Sequence, residues 1–146
     1  MDFTEILFEI DEGVAVITLN RPEARNALAP VMRQELAHAL KTVREKAGEE
    51  VRALILTGAG GAFCAGGDVK SMGSRLKSAA LAREALRDDH QKMIDLLNIE
   101  VPVISLIDGA AAGAGANIAL AADFVLATPK LSLIHISEPT RLLSIA

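Results

Sequence analysis

Two apolar runs open the chain, Ile6-Leu7-Phe8-Glu9-Ile10 and Val14-Ala15-Val16-Ile17-Thr18-Leu19, separated by Asp11-Glu12-Gly13. Their β-rich composition and the turn chemistry between them predict a hairpin. Asn20-Arg21-Pro22 ends the second strand, because proline removes a ladder donor and restricts the residue before it. The segment to Ala29 reads as a loop. Pro30 suits the first turn of a helix, and Val31, Met32, Leu36, Leu40 and Val43 recur at helical spacing until Gly48 stops the run. Val51 to Thr57 reads as a short buried strand. Ser78 to Leu97 gives a second helix, with Leu81, Ala85, Ile94 and Leu97 on its apolar stripe and Arg83, Glu84, Arg87, Asp88 and Asp89 mostly off it. Pro102 then introduces a strand, Val103 to Ile107, followed by a small-residue helix over Ala116 to Ala122 and a last strand, Phe124 to Ala127. Strands separated by helices require crossover connections, so the class is α/β with a largely parallel sheet and flanking helices.

Two glycine-rich stretches follow apolar strands. Gly58 to Lys70 reads G-A-G-G-A-F-C-A-G-G-D-V-K, and Gly109 to Gly115 reads G-A-A-A-G-A-G. Such turns present main-chain N–H groups and let another group come close. One such turn alone is usually punctuation. A dinucleotide fingerprint fits poorly, since G-A-G-G-A-F lacks a third glycine and Gly113-Ala114-Gly115 runs into Ala-Asn-Ile; no phosphate loop of the G-x-x-x-x-G-K-[ST] kind is present.

The 146 residues allow one domain with one core, and 51% hydrophobic against 23% charged residues makes the chain globular rather than disordered. A net charge of -4 offers no electrostatic case for nucleic acid. The one cysteine, Cys64, excludes an internal disulfide, and the start M-D-F-T-E has no leader-like pattern. No apolar stretch approaches the roughly 20 residues that span a bilayer. A soluble protein of the reducing cytoplasm is the expectation, with no membrane partner.

Three segments carry a family resemblance: N-R-P-E-A-R-N-A-L at Asn20 to Leu28, A-F-C-A-G-G-D at Ala62 to Asp68, and D-G-A-A-A-G-A-G-A-N at Asp108 to Asn117. In order and separation they resemble the N-terminal signatures of the crotonase superfamily, the enoyl-CoA hydratase/isomerase family. The similarity runs from about Ile6 to about Lys130 and is specific as a set. It implies a truncated crotonase-like spiral of ββα units over residues 1–130. From Leu131 the text L-S-L-I-H-I-S-E-P-T-R-L-L-S-I-A loses the family pattern. It looks like translated sequencing-adapter sequence, so residues 131–146 are read as a non-native tail, the alternative being a genuine C-terminal segment.

The resemblance implies that the main-chain N–H groups of Gly67 and Ala114 form an oxyanion hole for a thioester carbonyl. Charge accumulates on that oxygen when a neighbouring carbon loses a proton, and removing one such donor typically costs around 3 kcal/mol of barrier reduction. It places Glu23, Arg25, Ala65, Gly67, Asp68, Val69 and Lys70 along coenzyme A, with Ala110 and Gly113 near the acyl group. Coenzyme A is then part of the substrate, and no separate cofactor or metal is implied. Asp68 follows the donor glycine, and we read it as holding the loop through backbone hydrogen bonds rather than as a base. Cys64 reads as a buried, inert thiol, and His38 and His90 as surface or packing residues.

Asn117 stands where typical hydratases of the family have a glutamate that handles water. An amide cannot act as a general base, which tells against two-carboxylate water addition. G-A-G-A-N looks like the branch containing the ring-opening 2-(1,2-epoxy-1,2-dihydrophenyl)acetyl-CoA isomerase of phenylacetate breakdown and related enoyl-CoA isomerases, where an aspartate later in the chain moves the proton. Glu138 falls near the hydratase's second glutamate by counting, but within the tail and in the wrong order with Pro139; we read it as coincidence. The expectation is an isomerase, weakly active or inactive as a separate chain, from a family whose full-length members form trimers or hexamers. Enoyl-CoA hydratase and a non-catalytic acyl-CoA-binding or assembly module are the alternatives.

Overall fold

The computed structural model describes residues 2–75 and 78–134, with the side chains of Ala85, Asp88 and Asp89 among the few others left outside. Strands β1 (Ile6–Asp11) and β2 (Val14–Leu19) form the expected antiparallel hairpin. β3 (Ala53–Gly58), β5 (Val103–Ile107) and β7 (Phe124–Ala127) then add in parallel, giving a five-stranded sheet in the order β1-β2-β3-β5-β7. A second, smaller parallel sheet holds β4 (Ala62–Cys64), β6 (Ala110–Ala112) and β8 (Ser132–Ile134) in that order. After β3, β5 and β7 the chain steps from the large sheet to the small one, and helices intervene before the next large-sheet strand.

This alternation makes visible the ββα repeat that the sequence reading had merged into single strands followed by turns. β4, β6 and β8 are three residues each, too short to stand out, and β6 is alanine throughout, with no β-propensity to mark it. Other bounds also move. Residues Pro22–Ala24, read as loop, make a single 3₁₀ turn, and the central strand begins at Ala53 rather than Val51. A helix α2 (Val69–Arg75) lies within and after the first glycine stretch, where none was expected. Ser132–Ile134 pairs with β6, so the described part of the expected tail carries a strand; residues 135–146, Glu138 among them, lie outside the described residues.

The core lies between the large sheet and helix α1 (Pro30–Lys46). Parallel register aligns Ala15, Leu54 and Val103 in one row and Ile17, Leu56 and Ser105 in the next, all buried. Against this face α1 sets Met32, Leu36, Ala39, Leu40 and Val43. Val31, assigned to the same stripe, is instead exposed. Helix α3 (Ala79–Leu97), capped by the Ser78 hydroxyl accepting from the Leu81 amide, packs on α1. Its inner face runs through Met93 and buried Leu96, whereas Leu81, Ile94 and Leu97 of the expected stripe are exposed. Apolar residues occur on more than one side of this helix, so periodicity alone could not fix its rotation. Among the described residues no helix is long and apolar enough to cross a membrane.

Two carboxylates fasten the hairpin to α1. Glu35 is fully buried and accepts from the Thr4 amide at 2.7 Å, the Thr4 hydroxyl at 2.7 Å, the Glu5 amide at 2.8 Å and the Ile6 amide at 3.0 Å. Burial alone would raise its pKa, but these donors outweigh that and hold the carboxyl below its ordinary value. Glu5 accepts from the Met32 amide at 2.8 Å, satisfying the first turn of a helix whose N-cap, Ala29, provides no side-chain oxygen.

Glu35→Gln is expected to cost about 1–3 kcal/mol at neutral pH. A folded-state pKa below the unfolded value, about 4.3, means that the contribution is complete above that value and is lost as pH falls through the folded pKa. Urea unfolding of wild type and variant at pH 7 and at about pH 3 should therefore show the gap narrowing; a gap independent of pH contradicts the assignment. The rotation of α3 predicts that Leu96→Ala costs about 2–5 kcal/mol while Leu97→Ala stays within about 0.5 kcal/mol. Equal losses would mean that the helix faces the other way.

Candidate functional site

The first glycine turn is held by the segment that precedes α1. The fully buried Asn26 side chain donates through Nδ2 to the carbonyls of Ala59 and Ala62, each at 2.8 Å, and accepts at Oδ1 from the Arg21 amide at 2.8 Å. Arg25 and Asn26 both have left-handed backbone, φ 49° and 56°. The chain thus turns so that the Arg25 carbonyl accepts from the Ala65 amide at 2.9 Å and the Leu28 amide donates to the Gly66 carbonyl at 2.8 Å. Leu28 and Gly67 form an isolated parallel bridge, with the Asp68 amide donating to the Leu28 carbonyl at 3.4 Å. In that geometry the N–H of Gly67 itself faces away from Leu28.

Asp68 closes the turn as expected of a loop-holding carboxylate. Its Oδ1 accepts from the Lys70 amide at 3.0 Å and its Oδ2 from Arg21 Nη1 at 3.3 Å. Desolvation would raise its pKa, but the Lys70 amide and the Arg21 guanidinium hold it below the ordinary carboxylate value. Such a group stays ionised and is a poor base at neutral pH. Arg21 also donates to the Ala27 carbonyl at 2.8 Å and pairs through Nε with Glu5 at 3.2 Å.

The second glycine turn runs from β6 through Gly113 into helix α4 (Ala114–Leu120). It approaches the first turn backbone to backbone. A Cβ on Gly66, whose φ is +90°, would lie 2.7 Å from the Ala112 carbonyl oxygen and 3.6 Å from the Ala114 nitrogen. One on Gly115 would lie 2.5 Å from the Cys64 carbonyl oxygen and 2.7 Å from Cys64 Sγ. Only residues without side chains permit these approaches. Ala114 is the first residue of α4, so its N–H has no acceptor within the helix.

The structure therefore brings the Gly66-Gly67 turn beside the Ala114 amide. Around them Arg25, Ala65, Val69 and Lys70 are exposed, and Glu23 is exposed with its carboxylate 3.8 Å from Arg21 Nε. Ala110 lies in β6, paired with Ala62, and Gly113 immediately precedes α4. Asn117, one turn along α4, lines with Ala114 a cavity of about 230 Å³ whose walls include Leu36, Leu40, Met93, Leu96 and Ile118. Cys64 is buried, accepts from the Gly66 amide at 3.4 Å, and has its thiol pushed up to about 11, chiefly by burial. It is inert at neutral pH. His38 and His90 are exposed, and no cluster of metal-ligating side chains occurs among the described residues.

Sequence reasoning quoted Asn26 and Arg21 within a motif but gave neither a role. A signal existed: asparagine is among the few residues that adopt left-handed backbone readily. What sequence could not supply was the partner, because Ala59 and Ala62 lie more than thirty positions away.

Comparison with known proteins agrees with this geometry. The family model described as "Enoyl-CoA hydratase/isomerase" matches residues 9–140. The chain is 44% identical over 128 residues to the "Probable enoyl-CoA hydratase" of Rhodobacter capsulatus, covering 87% of this chain and 47% of that protein. It is 39% identical over 124 residues to the 1,2-epoxyphenylacetyl-CoA isomerase of Escherichia coli, covering 84% and 47%. The crystal structure of an enoyl-CoA hydratase/isomerase from Xanthobacter autotrophicus Py2 superposes with a TM-score of 0.85 at 34% identity, covering 92% of this chain and 49% of that one. The chain thus spans about half the length of the curated relatives it matches. With its paired sheets, interlocked glycine turns and a family match over most of its length, the chain belongs to the enoyl-CoA hydratase/isomerase family.

Proposed function

We propose that the chain forms the oxyanion-stabilising half of an acyl-CoA isomerase. A proton leaves a carbon next to or conjugated with the thioester carbonyl, the electron pair moves onto the carbonyl oxygen, and the Gly67 and Ala114 amides hold the resulting enolate. Reprotonation at a different carbon then shifts the double bond or completes ring opening. The observation that carries this reading is the approach of the Gly66-Gly67 turn to the Ala114 amide. Backbone donors need no reorganisation as charge develops, which is why such a pair favours the enolate over the ground-state thioester.

The acyl chain has an apolar destination in the cavity reached from Ala114 and Asn117, and exposed Arg25 and Lys70 offer cations to the phosphates of coenzyme A. The general acid/base is not among these residues: Asn117 is an amide, and Asp68 is occupied by Arg21 and the Lys70 amide. We assign it to a carboxylate beyond Lys130 in the complete protein. Hydration is the second reading, favoured by the name of the Rhodobacter capsulatus relative. It would need a different water-handling group in place of Asn117.

Ala114→Pro tests the oxyanion pair, since proline at the first helical position removes the N–H while keeping the helix. A 3-ketoacyl-CoA, whose enolate absorbs in the near ultraviolet, is the probe. Binding to the wild-type chain should raise the enolate fraction at fixed pH. The variant should lower that fraction about 10- to 100-fold, as expected for a hydrogen bond to a charged group. An unchanged fraction supports a non-catalytic binding module instead. For the reaction type, a crotonyl thioester should keep its enoyl absorbance with the complete protein. Steady loss of that absorbance would establish hydration.

A further inference from the structure

We infer that the buried side-chain amide of Asn26 is a positioning residue for the Gly67 N–H, an inference that rests on the oxyanion reading above. Three of its hydrogen-bonding sites are filled at 2.8 Å each, by the Arg21 amide and by the carbonyls of Ala59 and Ala62. Those two carbonyls bracket the Gly60-Gly61 turn, and Ala62 begins β4. One planar group therefore fixes both ends of the turn that launches the strand leading to Gly67.

The backbone of the same residue helps to shape the other wall. Its left-handed backbone, φ 56°, follows Arg25 at φ 49°, and this pair of residues aims the Arg25 carbonyl at the Ala65 amide and the Leu28 amide at the Gly66 carbonyl. Gly67 is thus set from upstream through Ala62, held by the Asn26 side chain, and from the side through Leu28, which follows the left-handed turn at Arg25 and Asn26. β4 carries a register shift between Ala62 and Cys64, so its pairing with β6 does not by itself determine where Gly66 and Gly67 fall. Asn26 touches no substrate atom in this account. It acts by holding one of two donors at the spacing that a single oxygen requires.

Asn26→Asp breaks both bonds to the turn. It keeps the size, the tolerance of left-handed backbone and an Oδ acceptor for the Arg21 amide, and replaces the two donors with a carboxylate oxygen that repels the Ala59 and Ala62 carbonyls. The expected result in the 146-residue chain is a near-native circular dichroism spectrum with amide exchange at Ala65 and Leu28 at least tenfold faster. The bound enolate fraction of a 3-ketoacyl-CoA should fall at least tenfold, while the Kd for a saturated acyl-CoA, which forms no enolate, moves less than threefold. Faster exchange with an unchanged enolate fraction would overturn the inference and leave Asn26 a structural residue. If that variant does not fold, Asn26→Gly, which also accepts the backbone conformation, carries the same test; failure of both to fold makes Asn26 a determinant of the fold and equally overturns it. A wild-type chain that holds no enolate would sink the oxyanion reading itself, and exchange at Ala65 and Leu28 would still decide whether Asn26 anchors the loop.

Discussion

The arrangement depends on one close approach, that of the backbone at Gly66 to the backbone at Ala112 and Ala114. Every larger side chain at Gly66 would meet a carbonyl, and every one at Gly115 would meet Cys64. Small residues here are thus a packing requirement before they are a chemical one. The small sheet exists because alanine and glycine let β4 and β6 pair while α4 lies against them. What results is a pair of turns from strands about fifty residues apart in sequence, brought together by parallel pairing.

Around that contact, charge and amide groups do the work that a larger core would otherwise do. Glu35 ties the chain start to α1, Glu5 satisfies the first turn of that helix, and Arg21 links Glu5 to Asp68. The line from the hairpin to the first glycine turn is therefore continuous and polar. Asn26 belongs to it, buried and with both amide hydrogens donated. Opposite this well-tied side, β7 ends the large sheet with all four residues exposed, Phe124 and Leu126 each at 59%. That apolar edge agrees with a chain that spans about half the length of its relatives.

Much of this was legible in sequence. The hairpin, α1 from Pro30 and the strands at Val103 and Phe124 were marked by periodicity, by proline and by apolar runs long enough to read. The motifs around Asn20, Ala62 and Asp108 indicated the family and hence the spiral. The small sheet was illegible because strands of three residues are too short to show a period, and the middle one is alanine throughout. The inner face of α3 was misassigned because Leu81, Ile94 and Leu97 are apolar yet point outward. Gly67 and Ala114 were named through resemblance, since a backbone amide leaves no side-chain signature. Asn26 was overlooked because its importance lies in partners that only the fold supplies.

The claim that all else serves is that two backbone amides meet at one oxygen, and nuclear magnetic resonance addresses it directly. Titrating the ¹⁵N-labelled chain with an acyl-CoA should move the Gly67 and Ala114 amide protons downfield together, along one binding curve. Movement of only one of them, or of neither at saturation, would contradict the account.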